Sequence, residues 1–265
     1  MSKDISRKKK YLFSLIIILF CLAAIELSAF ALIWVVNSQI GSAGASGVLI
    51  DDDIDFSSDE ISEYYANRDP VLGWPSASAL ASDRFDPAGA RPDPAFPYPQ
   101  APCAAAFGDS FARSMEVGNE HAWAHRLSKT LGCRVANFGV GGYGTGQAYL
   151  RFKMTDVEPA KLIILGVFPD NIMRNVNQYR GYLVAYHDIR TFKPRFVLNQ
   201  GELTAVPIID EPNLSFREFR KNPGSKLSHE YFLPDTAYGP VIMQFPYALA
   251  VVNALMHPRT RAVLF

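Results

Sequence analysis

The chain has 265 residues, 26 basic and 26 acidic side chains, and a hydrophobic share of 49 %. A net charge of zero, with no basic stripe beyond the N-terminus, excludes general nucleic-acid binding. Three cysteines with no Cys-x-x-Cys spacing, and His121 and His125 with no nearby Cys, give no zinc site, so no metal and no cofactor is expected.

Arg7-Lys8-Lys9-Lys10 precedes an almost wholly apolar run from Tyr11 to Val36. About 20 apolar residues cross a hydrocarbon core, and a signal-peptide core is usually about 7–15, so an uncleaved transmembrane helix over 11–36 is expected. The competing reading is a cleaved signal, for which Ala43-Gly44-Ala45 is a small-residue site. Glu26 is the one charge inside the run, either a tolerated acid or one with a helix partner. The basic cluster places residues 1–10 in the cytoplasm and the remainder outside. Either way the rest of the chain is exported, and about 220 residues suffice for one α/β domain.

Residues 37–99 form a linker and lead-in. Asn37 to Gly47 is small and flexible in character, Asp51 to Glu60 is acidic, and 84–102 holds six prolines that exclude a helix or an inner strand. The remaining domain, 100–265, opens with a strand over Ala104 to Phe107. A helix follows over Glu120 to Leu131, with Trp123, Leu127 and Leu131 on one face and Gly132 as its C-cap. A strand over Arg134 to Phe138 leads into a glycine loop, then a helix over Thr145 to Lys153. A third strand over Lys161 to Phe168 carries the apolar core Leu162-Ile163-Ile164-Leu165. This alternation implies a parallel sheet with helices on both faces and ligands at the strands' carboxyl ends. Cys103 and Cys133 open the first two strands and are expected to form a disulfide if those strands are neighbours, the alternative being two free thiols. Arg195 to Leu198 and Leu203 to Val206 read as a hairpin, 211–240 as a polar surface loop, and Gln244 to Met256 as a core helix too short to span a membrane.

Gly108-Asp109-Ser110 follows the first strand. By itself it reads first as a helix N-cap, the alternative being a strand-end nucleophile. Gly139-Val140-Gly141-Gly142-Tyr143-Gly144 matches G-x-G-x-x-G, but after the second strand and without an acid ending the next one. Gly108-Asp109-Ser110-Phe111-Ala112 approaches the G-x-S-x-G elbow, without the preceding strands that fold requires.

Taken together the three strand ends resemble the SGNH (GDSL-type) hydrolase family, membrane-anchored bacterial type. Gly108-Asp109-Ser110 is similar to its first block, Asn137 to Thr145 to its second and Gly166 to Ile172 to its third. The resemblance covers residues 69–180 best, including the lead-in Leu72-Gly73-Trp74. It implies a flavodoxin-like three-layer α/β/α sandwich and an acyl-enzyme mechanism. Ser110 would be the nucleophile, Gly142 would give a backbone N–H to the oxyanion, and an Asn side chain would be a third donor. The chain departs from the pattern twice. The third block reads Asp170-Asn171 where the family has Asn-Asp. Because an ionised Asp cannot donate, Asn171 rather than Asp170 is expected at the oxyanion. No Asp is followed three residues on by His, which implies a C-terminally incomplete member or a variant that binds without catalysing. His121 and His125 are expected on the solvent face of their helix, and little turnover is expected from the 265 residues alone. The resemblance and the expected location together imply a serine esterase or O-acyltransferase at the bacterial inner membrane. Its domain would be periplasmic or extracellular, and its substrate an acylated saccharide of the envelope or another ester. The alternative is a non-catalytic envelope carbohydrate- or partner-binding domain.

Overall fold

The computed structural model describes residues 7–42, 49–51, 57–183, 192–211, 214–234 and 236–264. In chain order the elements are α1 (Arg7–Ser42), β1 (Leu49–Asp51), α2 (Ser58–Asn67), α3 (Ala77–Leu80), β2 (Pro102–Phe107), α4 (Ser110–Arg113), α5 (Trp123–Leu131), β3 (Arg134–Asn137), α6 (Thr145–Met154), β4 (Leu162–Leu165), α7 (Asn171–Asn175), β5 (Arg195–Asn199), β6 (Glu202–Val206), α8 (Phe216–Lys221), β7 (Val241–Met243), α9 (Tyr247–Met256) and α10 (Pro258–Leu264). The described residues form two compact units, one from 7–42, 49–51, 232–234 and 236–264, the other from 57–183, 192–211 and 214–231. His187 and the linker positions 43–48 and 52–56 lie outside the described residues.

The first unit is built on α1, whose segment Arg7–Val36 is long and apolar enough to cross a membrane. The helix runs on to Ser42, so the flexible linker expected from Asn37 is helical over its first residues. β1 pairs in parallel with β7. Ile33 of α1 packs into a cluster with Val241, Met243, Ala250 and Ala254. The expectation of a core helix over Gln244 to Met256 is corrected. α9 starts only at Tyr247, after Pro246, and Leu249, Val252, Leu255 and Met256 are exposed.

The second unit holds a mixed α/β arrangement around a parallel three-stranded sheet of order β3-β2-β4. In register, Ala105 of β2 faces Ala136 of β3 and Ile163 of β4, and Ala106 faces Asn137 and Ile164. Alternation along the strands divides their side chains between two faces. Ala105, Phe107, Ala136 and Phe138 pack with Ala148 and Phe152 of the α6 side and with Leu72 and Ala90 of the lead-in. Ala104 and Val135 pack with Trp123, Ala124 and Leu127 of α5. The central strand is thus an alanine run because helices press on both its faces, while Phe107 stacks on Phe138 at 5.1 Å and meets Phe152 edge-on. Burial of a side chain such as Phe107 contributes about 1.5–3 kcal/mol. β2 and β3 are neighbours, and Cys103 and Cys133 are joined as expected, their Cα atoms 6.0 Å apart.

Three other expectations are corrected. Leu162-Ile163-Ile164-Leu165 is not a core strand: Leu162, Ile163 and Leu165 are exposed, because β4 pairs only with β2 among the described residues. His125 is not on a solvent face. It is buried, with Nδ1 2.8 Å from Asp93 Oδ1 in the proline-rich lead-in. Residues 211–240 are not simply a surface loop. Ser215 caps α8, and Phe216 and Phe219 are buried in ring contacts with Tyr179 and Phe192. The hairpin β5–β6 forms as expected around Gln200 and Gly201, both with positive φ, the left-handed pair a tight two-residue turn demands.

The proline-rich lead-in over 84–101 forms no helix or ladder strand, but it is a run of turns and bends rather than the extended segment expected, and it is tied to the sheet by Arg134, which is buried, and Arg91, which is half-buried. Arg134 Nη2 donates to Asp86 Oδ2 at 2.6 Å. Arg91 N donates to Asn137 O at 2.7 Å, and the Arg91 guanidinium donates to the carbonyls of Arg113, Ser114 and Val117.

Candidate functional site

The turn after β2 is set by Gly108. Its φ is +153°, and a Cβ there would press on Ala112 Cβ and Gly166 O. The chain can only turn sharply at this point without a side chain. Asp109 then caps α4, its Oδ1 accepting from Phe111 N at 2.9 Å and from Ala112 N at 3.4 Å. Ser110 is the first residue of α4 and is half-buried. α4 ends at Ser114, which adopts a left-handed conformation with φ 61°.

The glycine loop lies alongside. Val140 N donates to Gly108 O at 3.0 Å, and Asn137 Nδ2 donates to Ala112 O at 2.7 Å while its Oδ1 accepts from Gly139 N. The lead-in holds the loop from its other side. Trp74 Nε1 donates to Gly141 O at 2.9 Å, Tyr143 Oη donates to Trp74 O, and Gln147 Nε2 donates to Leu72 O. Gly142 is buried with φ +77°, and the Arg180 guanidinium occupies the space that a Cβ would need. Arg180 also lies 5.6 Å from the Trp74 ring centre.

The third strand end is joined through Asp109. Its Oδ2 accepts from Asn171 Nδ2 at 3.1 Å and from Arg174 Nη1 at 3.2 Å. Both donors also reach Tyr143 O at 3.2 Å, and Asn171 Oδ1 accepts from Phe168 N at 2.8 Å. One carboxylate therefore links the Ser110 turn, the start of α7 and, through Tyr143, the glycine loop. Of the reversed pair, Asn171 is the buried member next to Asp109. The Asp170 side chain is 52 % exposed, and its nearest charge is Arg174 Nη2 at 3.8 Å.

Among the described residues, the Ser110 hydroxyl and the backbone N–H groups of Ser110 and Gly142 have no protein hydrogen-bond partner. A buried N–H is normally paired, and that of Gly142 is an exception among the described residues. None of the four described histidines pairs with Ser110. His125 is bound to Asp93, His121 Nε2 lies 3.5 Å from Glu120, His257 Nε2 lies 3.2 Å from Thr236 O, and His229 is exposed. Among the described residues no cluster of three or more His, Cys, Asp and Glu side chains is set to hold a metal ion.

Sequence reasoning missed the arginines. Arg174 sits three residues after Asn171, the spacing that puts two side chains on one helix face, and that spacing was the available signal. Arg113 is buried beneath the Ser110 turn, donating to Gly139 O and Arg84 O. Burial, then the charges of Arg91, Arg151 and Arg84, pull its guanidinium down to about 10. Nothing local in the sequence marks it.

No protein-family model, curated protein or solved structure matches the chain.

Proposed function

We propose that the chain is a membrane-anchored serine esterase or O-acyltransferase of SGNH type. In this reading α1 is the anchor, its basic end is cytoplasmic, and the flavodoxin-like three-layer α/β/α domain works on the far side of a bacterial inner membrane. The observation that supports it is three donors without a protein hydrogen-bond partner among the described residues, the Ser110 hydroxyl, the Ser110 N–H and the buried N–H of Gly142, on two turns that Val140 N joins by donating to Gly108 O. Ser110 Oγ attacks the carbonyl carbon of an ester. The new Oγ–C bond raises an oxyanion, which the N–H groups of Ser110 and Gly142 receive. Asn171 Nδ2 becomes a third donor by giving up its bond to Tyr143 O. The ester C–O bond then breaks, the proton lost by Ser110 goes to the leaving alcohol, and an acyl-Ser110 remains. Water or a sugar hydroxyl takes the acyl group and returns the proton. The envelope location makes O-acylated saccharides the substrate class.

A second reading, a domain that binds acylated saccharides without turning them over, is favoured by one observation: no described histidine is hydrogen-bonded to Ser110. Mass spectrometry of the protein in its native membrane after exposure to an activated acetyl ester separates the two. The esterase reading expects an acetyl group on Ser110 that is absent from Ser110→Ala. Wild-type protein without acetyl on Ser110 contradicts it.

A further inference from the structure

Within the unit built on α1, the helix α9 has no charged residue and carries two apolar stripes. The inner stripe, Tyr247, Ala250, Val251 and Ala254, packs with Ile33 and Val36 of α1 and with Val241 and Met243 of β7. The outer stripe, Leu249, Val252, Leu255 and Met256, is exposed and is preceded by the exposed Phe245. At its N-terminus, Tyr247 N donates to Glu26 Oε2 at 2.6 Å, and Ala248 N lies 3.4 Å from both Glu26 oxygens. Phe30, one turn on from Glu26, meets the Tyr247 ring at 5.2 Å. Glu26 is the single acid inside the apolar run of α1.

We propose that α9 is a membrane-embedded helix. It is docked on α1 through Glu26, and its outer stripe faces lipid acyl chains. The inference rests on α1 spanning the bilayer and adds a second embedded element to it. Three arguments carry it. First, a carboxylate inside hydrocarbon is costly unless it is partnered, and so are the open N–H groups of a helix start. Glu26 and α9 satisfy each other, and Pro246, which precedes α9, has no N–H to leave open. Second, depth is consistent. Glu26 lies sixteen residues beyond Lys10, about 24 Å along a helix, inside a hydrocarbon layer about 30 Å thick and in the half away from the basic cluster. Third, the exposed stripe of α9 is continuous in character with the exposed apolar surface of α1, and the next basic side chains of ordinary positive charge come only beyond it, at Arg259 and Arg261 of α10. At ten residues α9 is about 15 Å long, enough for one leaflet and too short to cross. Asn253, exposed near the C-terminal end of α9, sits where such a helix would approach the headgroups.

The test uses the full chain with Cys21→Ser, reconstituted in phosphatidylcholine–phosphatidylglycerol vesicles. Nitroxide labels are placed singly through Leu249→Cys, Val252→Cys, Ile17→Cys and Thr204→Cys. Ile17 reports on α1, and Thr204 is an exposed hairpin position. Accessibility to oxygen, which concentrates in lipid, is compared with accessibility to a water-soluble nickel chelate. Labels at 249 and 252 are expected to match the one at 17 and to differ from the one at 204. Glu26→Ala is expected to move the label at 252 toward the value at 204, whereas Glu26→Gln, which keeps an acceptor oxygen, leaves it in lipid. Nickel access at 249 and 252 with the label at 17 still in lipid overturns the proposal and spares the anchor. Labels at 249 and 252 shielded from both reagents point to a protein partner or a second copy and also overturn it. Nickel access at 17 overturns the anchor and the proposal together. An unchanged label at 252 in Glu26→Ala removes the docking role of Glu26.

Discussion

Asp109 Oδ2 and Asn171 Nδ2 lie 3.1 Å apart in a buried pair that fastens the turn after β2 to the start of α7. The same carboxylate caps α4 with its other oxygen. The side chain that caps α4, the helix that Ser110 begins, is thus also the one that holds Asn171, the candidate third oxyanion donor.

Replacing that donor with an acid tests the pair. Asn171→Asp sets two carboxyls against each other in a buried site, and the bonds to Tyr143 O and Phe168 N are disturbed. Leaving such groups unsatisfied costs about 1–3 kcal/mol. The introduced carboxyl is pushed above its unfolded value, so the cost is present above that value and fades as pH falls and one carboxyl takes a proton. Thermal unfolding is expected to show a larger Tm loss at pH 8 than at pH 5. Asp170→Ala, beside it, removes only a loose exposed ion pair and is expected to change stability by less than about 0.5 kcal/mol.

Gly142→Ala is expected to fail for two reasons. The φ of +77° strains any side chain, and the new Cβ would overlap the Arg180 guanidinium. A cost on the order of 1–3 kcal/mol is expected in chemical denaturation. If Gly142 N–H serves the oxyanion, the displaced loop also lowers acylation of Ser110 by about a hundred- to a thousand-fold.

Lys193 gives a pH dependence of its own. Burial, only partly offset by Glu230 and reinforced by Arg195 and Arg180, pulls its ammonium down to about 7, although Nζ donates to the carbonyls of Arg174, Asn177 and Pro194. The unfolded chain holds this proton up to about pH 10.4. Between the two values the unfolded state binds more protons, so the contribution of Lys193 to stability rises with pH and is flat below pH 7. Relative to Lys193→Met, the wild-type Tm is expected to gain between pH 7 and pH 9. A gain on acidification instead would contradict the assignment.

The Cys103–Cys133 bond closes a loop of sequence separation 30. A loop of that size is worth about 3–4 kcal/mol in the chain-entropy account. Reduction, or paired Cys103→Ser and Cys133→Ser, is expected to lower stability by that order. Thiol titration of denatured, unreduced protein should find one reactive group, Cys21.

Much of this was legible in the sequence where the cause is local. The alanine run of β2, the Gly132 cap and the Gln200-Gly201 turn each follow from a residue's own conformational needs. The disulfide follows if the strands expected over Ala104 to Phe107 and Arg134 to Phe138 are neighbours, as they are. What the sequence hid is set by distant partners. His125 looked like a solvent-facing helix residue because its partner, Asp93, comes from an irregular proline-rich segment with no periodicity to read. Leu162 to Leu165 looked like core because its composition is that of a buried strand, whereas its exposure depends on what pairs with its second edge. Phe216 and Phe219 were lost in a polar stretch because α8 is only six residues long, too short for its period to register. At the site, the motifs identified Ser110, Gly142 and Asn171 as candidates, but the charges around them, Arg113, Arg174 and Arg180, carry no motif.

The most direct test of Ser110 as a nucleophile is fluorophosphonate labelling of the protein in its native membrane, read by gel fluorescence and by peptide mass. The account predicts a single label on Ser110, abolished by Ser110→Ala and slowed in Asn171→Ala. Wild-type protein that takes no label, or takes it at another residue, contradicts it.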